Sequence, residues 1–217
     1  MLTNSRYLIN EFLRENLVKN IKKTSSTNIL DVGCGRNPYK KYFDSNKNYI
    51  GIDKRSLTAH VRGVGEFMPF KGSFFDTILC TQVLEHVEDP PKVLRELNRL
   101  LVCDGVLILS THGFWIEGHE KTDYWRWTLQ GLVRIFEDSA FEIISTDSMD
   151  PFPSFFQFLS LFIPSNGFGK PIQVVINLLS GIFSRLFGHR GPNVPAVHVI
   201  YAKKKSPIAE FLNQETQ

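Results

Sequence analysis

Apolar positions change their spacing several times along the chain, and each change marks an element. Tyr7, Leu8, Phe12, Leu13, Leu17, Val18 and Ile21 recur at helical intervals, so about the first 22 residues read as an amphipathic helix. A polar connector over residues 22–27 leads into a short apolar strand at residues 28–32. A second strand over residues 49–52 ends at Asp53, and a third covers residues 60–64 ahead of a turn at Met68-Pro69-Phe70. Residues 74–80 read as a buried strand. Asp89-Pro90-Pro91 then opens a helix, because Asp is a good N-cap and Pro fits the first turn; Val93, Leu94, Leu97, Leu100 and Leu101 form its apolar stripe. Asp104-Gly105 turns the chain into a strand over residues 106–110, bounded by Thr111-His112-Gly113. A helix over residues 129–138, a strand over 141–144 and a final strand over 197–202 complete the pattern. No internal repeat is present. Strands alternating with helices predict a mainly parallel sheet covered on both faces, with ligands at the carboxyl ends of its strands.

The first strand stops in a feature of its own: Asp31-Val32-Gly33-Cys34-Gly35. A Gly-x-Gly loop lacks Cβ atoms where a ligand approaches, so a cofactor can lie against bare backbone. Asp53 follows Asp31 by 22 residues at the end of the second strand, where a carboxylate accepts from both hydroxyls of a ribose. A dinucleotide site calls for a third small residue after the loop, and Pro38 stands there instead. An NAD-dependent oxidoreductase is therefore disfavoured.

These residues resemble the class I S-adenosylmethionine-dependent methyltransferases. The resemblance covers roughly residues 29–141 in ordered blocks. Asp31 to Gly35 looks like the family's first motif, which holds the amino-acid half of the cofactor, and Asp53 matches the ribose acid. Glu66-Phe67-Met68-Pro69-Phe70, followed by Gly72-Ser73-Phe74-Phe75-Asp76, is similar to the adenine-side loop and fourth strand. Val83-Leu84-Glu85-His86-Val87-Glu88-Asp89-Pro90 resembles the segment after that strand, and Leu101 and Gly105 lead into the fifth strand as the family does. The family implies a Rossmann-like, mainly parallel seven-stranded sheet with helices on both faces, in a single domain over residues 1–217. It implies a cofactor site at Asp31, Gly33, Cys34, Gly35, Asp53, Lys54, Gly65, Glu66, Phe67 and Thr81. One position departs from the pattern. Where the family often has an adenine-binding acid this chain has Val64, which leaves adenine to the backbone of Gly65 and Glu66 and to Phe67.

Methyl transfer from a sulfonium is a direct displacement, which needs alignment and, for a hydroxyl acceptor, removal of a proton. His112 closes the fifth strand at the sheet edge, and the ordinary pKa of histidine, about 6.5, suits a general base. His86 is the second candidate. In ubiquinone-biosynthesis O-methyltransferases a similar Leu-Glu-His segment follows an acid implicated in divalent-metal binding. Gln82 stands in that place here and is a weaker ligand, so Gln82, Glu85 and His86 offer only a poor metal set, and the bland alternative is that Glu85 and His86 hold the loop. The loop over residues 118–128 is dense in aromatics and ionisable groups, and is similar to a segment of bacterial glycan- and lipid-pathway methyltransferases. His119, Asp123, Trp125 and Arg126 are the substrate candidates: tryptophan stacks on a flat or sugar-like acceptor, and arginine grips a carboxylate or phosphate. Trp127 fits core packing better.

Composition alters the picture in one place. The 217 residues are 42% hydrophobic with a net charge of +3, an ordinary globular balance. Cys34, Cys80 and Cys103 lack paired spacing and fit a reducing cytosol, and residues 1–6 lack the order of a signal peptide. Residues 150–194, however, form an insertion before the last strand. Residues 151–190 contain no acid and hold eight of the 18 phenylalanines. Ile172, Val175, Ile176, Leu179, Ile182, Phe183, Leu186 and Phe187 make a wide helical stripe near Arg185, His189 and Arg190. Pro153, Pro164 and Pro171 break the run, which is too interrupted to span a bilayer. Membrane-surface contact, a lid over the substrate site and a dimer contact are the three readings.

Together these point to an S-adenosylmethionine-dependent methyltransferase, acting at oxygen on a small, sugar or lipid-linked acceptor. It would be cytoplasmic or peripheral to the inner face of a membrane. The competing reading is a non-catalytic cofactor-binding, membrane-associated module. Nucleic acid is not favoured as acceptor, because no Asn/Asp-Pro-Pro-aromatic motif and no long basic stripe is present, although the basic C-terminal end leaves RNA open.

Overall fold

Alternation along the strands decides how the chain is layered. The computed structural model describes residues 4–24, 26–44, 47–116, 122–164, 166–187 and 194–205. Its strands are β1 (Asn28–Val32), β2 (Asn48–Asp53), β3 (Val61–Arg62), β4 (Phe75–Thr81), β5 (Leu101–His112), β6 (Phe141–Ser148) and β7 (Val197–Lys204). They form one seven-stranded sheet in the order β3-β2-β1-β4-β5-β7-β6. Neighbours are parallel except around β7, which runs antiparallel to both β5 and β6. The chain leaves β1 toward one edge of the sheet and resumes at β4 on the other side. This reversal of strand order opens a crevice at the carboxyl ends of β1 and β4.

Helix α1 (Tyr7–Ile21) buries Ile9, Leu13, Leu17 and Ile21 against Leu79, Ile108, Val199 and Tyr201. The intervening residues Ile78, Cys80, Leu107, Leu109, Ile200 and Ala202 face the opposite layer, made by α2 (Pro90–Leu100) and α3 (Leu129–Glu137). The two-residue period thus assigns successive side chains of one strand to two separate cores. Both helices of the second layer begin with real caps. Asp89 Oδ1 accepts from Lys92 N at 2.9 Å, and Thr128 Oγ1 accepts from Gly131 N at 3.1 Å. Losing such a cap costs about 1 kcal/mol. Asp76 Oδ2 pins the start of β1 by accepting from Thr27 N and Asn28 N at 2.9 and 2.8 Å.

Three element bounds differ from the sequence pattern. The third strand is shorter than residues 60–64, since His60 Nδ1 instead accepts from Gly51 N and Gly63 N bonds to Asp53 O. The fifth begins at Leu101 and absorbs Asp104-Gly105 as a bulge, with Asp104 at φ 58°. The sixth runs on to Ser148, because an edge strand continues with polar residues on its wet face after the apolar run has ended. Between β6 and β7 the insertion folds as a hairpin of α4 (Pro151–Leu161) and α5 (Gly169–Phe187). Among the described residues no helix is long and apolar enough to cross a membrane.

Candidate functional site

A cavity of about 390 Å³ lies in the crevice, lined by Val32, Gly33, Ile52, Asp53, Lys54, Arg55, Gly63, Val64, Gly65, Glu66, Gln82, Val83, His86, Val87, Glu88, Thr122 and Tyr124. Its size falls in the range of roughly 300–1,000 Å³ usual for small-molecule sites. Four backbone turns build it, one after each of β1, β2, β3 and β4.

The turn after β1 shows why glycine is needed. Gly33 has φ +67°, and a Cβ built on it would lie 2.3 Å from Val83 Cγ2. Left-handed backbone and contact with the next wall both exclude a side chain there. Gly35 N donates to Asp53 Oδ2 at 3.0 Å, which joins the glycine loop to the end of β2. Asp53 Oδ1 accepts from Arg55 N and Ser56 N at 2.7 Å each. Burial pushes the Asp53 carboxyl up, but these three backbone donors outweigh it and hold the group below the ordinary carboxylate range. A charged carboxylate is therefore fixed at the cavity wall in one orientation, as a diol acceptor requires.

Asp31 sits one layer deeper. It is fully buried, accepts from the Tyr49 hydroxyl through Oδ2, and leaves Oδ1 without a hydrogen-bond partner. Burial pushes its carboxyl up to about 7 against the opposing pull of the Tyr49 bond. Cys34 is buried beside it, and burial pushes that thiol up to about 12, so it stays a neutral packing group. Of the ten cofactor candidates, Gly33, Asp53, Lys54, Gly65 and Glu66 line the cavity. Thr81 ends β4 just before Gln82, which does line it. Phe67 stands apart: it is 69% exposed, with Lys92 Nζ 3.7 Å from its ring centroid. The fixed Asp53 carboxylate fits the ribose of S-adenosylmethionine, Asp31, Cys34 and Gly35 lie behind the wall rather than in it, and Val64, Gly65 and Glu66 form another part of the lining.

The turn after β4 is strained where it meets the cavity. Gln82 has φ 55°, a conformation that costs a non-glycine residue roughly 1–2 kcal/mol. It is held by Gln82 N to Ser110 O at 2.8 Å and by its side-chain amide to Ser110 Oγ at 3.2 Å. Glu85 then turns into the sheet and is fully buried, accepting from Thr111 Oγ1 at 2.9 Å, with its other oxygen 3.6 Å from His112 Nε2. Gln82 and His86 line the cavity while the Glu85 carboxyl is turned onto Thr111, and among the described residues no group of three His, Cys, Asp or Glu is placed to hold a metal ion.

The two histidines differ sharply. His112 lies beneath Trp115, their rings stacked at 5.0 Å, and its Nδ1 is buried without a partner. Burial pushes its imidazole down to about 4, so it is neutral, and it does not line the cavity. Burial likewise raises the Glu85 carboxyl, which favours the neutral form on both sides of the contact. His86 does line the cavity, and its Nδ1 is 3.0 Å from the Thr122 carbonyl oxygen. That carbonyl can only accept, so Nδ1 carries the proton and Nε2 carries the lone pair.

The aromatic loop closes the far wall. Tyr124 N and Trp125 N both donate to Glu85 O, at 2.8 and 3.3 Å, and Trp125 Nε1 donates to Val87 O at 2.8 Å. Arg126 does not reach outward. Its guanidinium meets both Asp123 oxygens at 2.7 Å and the carbonyls of Trp115, Ile116 and Trp125 at 2.8–3.1 Å. Five N–H donors are thereby engaged, which makes the Asp123–Arg126 pair an internal latch of the loop rather than a grip for an acceptor. Trp125 stacks on Trp127 at 5.6 Å, and Trp127 packs on the main core. His119 lies outside the described residues. Thr122 and Tyr124 are wall residues that were not among the candidates, although both fall in the aromatic loop over residues 118–128.

Comparison with known proteins agrees with this geometry. The sequence pattern of a family described as methyltransferase domain matches residues 4–145. A tRNA U34 carboxymethyltransferase of Nautilia profundicola is 32% identical over 128 residues, which is 51% of this chain and 42% of that protein. A ubiquinone biosynthesis O-methyltransferase of Pseudomonas aeruginosa is 39% identical over 62 residues, 29% of this chain and 25% of that one. The matched stretches thus span less than half of either relative. Among solved structures, the 1,6-didemethyltoxoflavin-N1-methyltransferase of Burkholderia thailandensis, crystallised with S-adenosylhomocysteine, superimposes with a TM-score of 0.57 at 15% identity, over 88% of this chain and 76% of that one.

Proposed function

We propose a function from one premise: the chain belongs to the methyltransferase domain family, and its methyl donor is S-adenosylmethionine. The reaction we assign is methyl transfer by direct displacement to an oxygen of a small, sugar or lipid-linked acceptor. The donor supplies an electrophilic methyl group on a sulfonium. Asp53, fixed by three backbone donors, holds the ribose, and Gly33 and Gly65 let the ligand lie against backbone. Asp31, beneath the glycine loop, leaves one oxygen without a partner as an acceptor toward the amino-acid end.

The observation that carries the acceptor chemistry is the His86–Thr122 contact. Bound at Nδ1, the imidazole offers the Nε2 lone pair in the cavity wall, where it takes the proton from an acceptor hydroxyl as the new C–O bond forms. His112 acts as a positioning residue: it props Trp115 and Glu85, and through them the loop that faces the acceptor. Tyr124, in the cavity wall, stacks on the acceptor, with Trp125 beside it in the same loop.

The test is to incubate the protein with cell extract and trideuteromethyl-labelled cofactor, then follow label into products by mass spectrometry. Labelled O-methyl products, lost in His86→Ala while calorimetric cofactor binding persists, are expected. Cofactor binding without any labelled product would overturn this reading in favour of the non-catalytic module, and label appearing in RNA would move the acceptor to nucleic acid.

A further inference from the structure

The α4–α5 hairpin has its polarity reversed. Its buried positions include Ser154, Gln157 and Ser160 on α4 and Gln173, Asn177 and Ser180 on α5. Its outward positions are apolar: Phe155 is 60% exposed, Phe162 65%, Val175 53%, Leu178 54%, Ile182 51% and Leu186 68%. A hairpin folded for water would place these sets the other way round. Four of these inward polar groups, Ser154, Gln157, Ser160 and Gln173, join the elements through hydrogen bonds. Ser160 Oγ donates to Gln173 Oε1 at 2.5 Å, and Gln173 Nε2 bonds to Ser160 O and Ile163 O at 3.0 and 2.7 Å. Gln157 ties the hairpin to α1 through Ile9 N at 2.9 Å and Ser5 O at 2.6 Å. Ser154 Oγ accepts from Ala196 N at 3.0 Å and donates to Met149 O at 3.1 Å.

Phe152 and Phe156 also meet Phe183 across the seam at 5.7 and 5.5 Å, but the small and polar part of the seam, with large apolar groups outside, resembles helix packing in hydrocarbon. Electrostatics select the surface further. Residues 151–190 carry no acid, while Lys170 and Arg185 are both exposed. We propose that the α4–α5 hairpin docks this protein onto an anionic lipid bilayer. It lies in the plane of the interface, its apolar face in the acyl boundary and its cations at the headgroups. The hairpin leaves β6 and enters β7 at the carboxyl edge of the sheet, and Phe158 meets Phe114, just beyond β5, at 5.8 Å. Docking therefore sets the edge that carries the cavity toward the membrane. The docking itself does not depend on the methyl-transfer reading.

Co-sedimentation with vesicles tests it without any turnover, using phosphatidylcholine alone and an equimolar phosphatidylcholine–phosphatidylglycerol mixture. The full chain should bind the mixed vesicles, and Leu178→Ser/Ile182→Ser/Leu186→Ser should weaken binding on the order of a hundredfold. Since these side chains already face outward, an unchanged melting profile verifies that this variant folds. Lys170→Glu/Arg185→Glu should lose the preference for anionic vesicles. No binding to either vesicle overturns the proposal, as does a triple variant that binds like the parent. A dimer in vesicle-free solution that the triple variant dissociates, together with absent vesicle binding, assigns the face to a second copy instead.

Discussion

The glycine-loop crevice and the α4–α5 hairpin obey opposite rules of burial. Around the crevice, apolar strand residues are inside and the ionised Asp53 is held at a wetted wall by backbone donors. In the hairpin, glutamine and serine are inside and leucine is outside. The first arrangement gains stability by removing apolar area from water. The second spends apolar surface on the outside and is held by hydrogen bonds, which gain strength where water is scarce. The difference separates a crevice walled by polar and charged groups from a hairpin that presents apolar side chains outward.

Substitutions can break this contrast. The largest effect is expected for Gly33→Ala, where left-handed strain and collision with Val83 together cost about 3 kcal/mol. Cofactor affinity measured by calorimetry should fall about a hundredfold, and Gly33→Ala/Val83→Ala should recover part of the loss. Asp53→Asn should follow: the lost charge weakens its bonds to the loop and to a diol, and affinity should drop about tenfold, the equivalent of ~1.4 kcal/mol.

In the hairpin, Gln173→Leu is the sharper probe, because it strips partners from Ser160 and Ile163 in a buried seam. A loss of about 1–3 kcal/mol in chemical denaturation is expected, while Leu178→Ser on the outer face should stay within about 0.5 kcal/mol in water. If the outer substitution proved the more damaging, the reversed polarity would be refuted.

The smallest effect concerns Glu85. Its folded-state pKa is raised by burial, so its contribution is fully present below its ordinary value of 4.5 and is lost as pH rises above it. Glu85→Gln keeps an acceptor for Thr111 and removes that dependence. Between pH 5 and pH 8 the melting temperature of this variant should rise relative to the parent by about 2–4 °C, the shift expected for ~1 kcal/mol. His112, pushed down to about 4, works in the opposite sense, since its stability is present above pH 6.5 and lost as pH falls toward 4.

Most of the sheet was legible in the order of residues. Strands β1, β2, β4 and β7 are mostly apolar because they are buried on both faces, and α2 announces itself through Asp89 and its leucine stripe. Asp53 was legible for the same reason, as an acid at the end of such a run. Arg126 was not. An arginine among aromatics reads as a ligand grip, and only folding brings the carbonyls of residues 115, 116 and 125 around it. In the sequence His112 was the leading base candidate and His86 the second, and a stacked tryptophan over the one and a carbonyl at 3.0 Å from the other distinguish their surroundings.

The sequence by itself determined the layer pattern, the place of the cofactor loop and the presence of an acid-free apolar insertion, since each depends on residues close together in the chain. Tertiary structure alone decided which histidine faces the cavity, that Arg126 is engaged, and that the insertion turns its apolar face outward. Those outcomes depend on contacts between segments remote in sequence, such as Ile9 with Gln157 and His86 with Thr122, where local periodicity carries no information about which partner arrives.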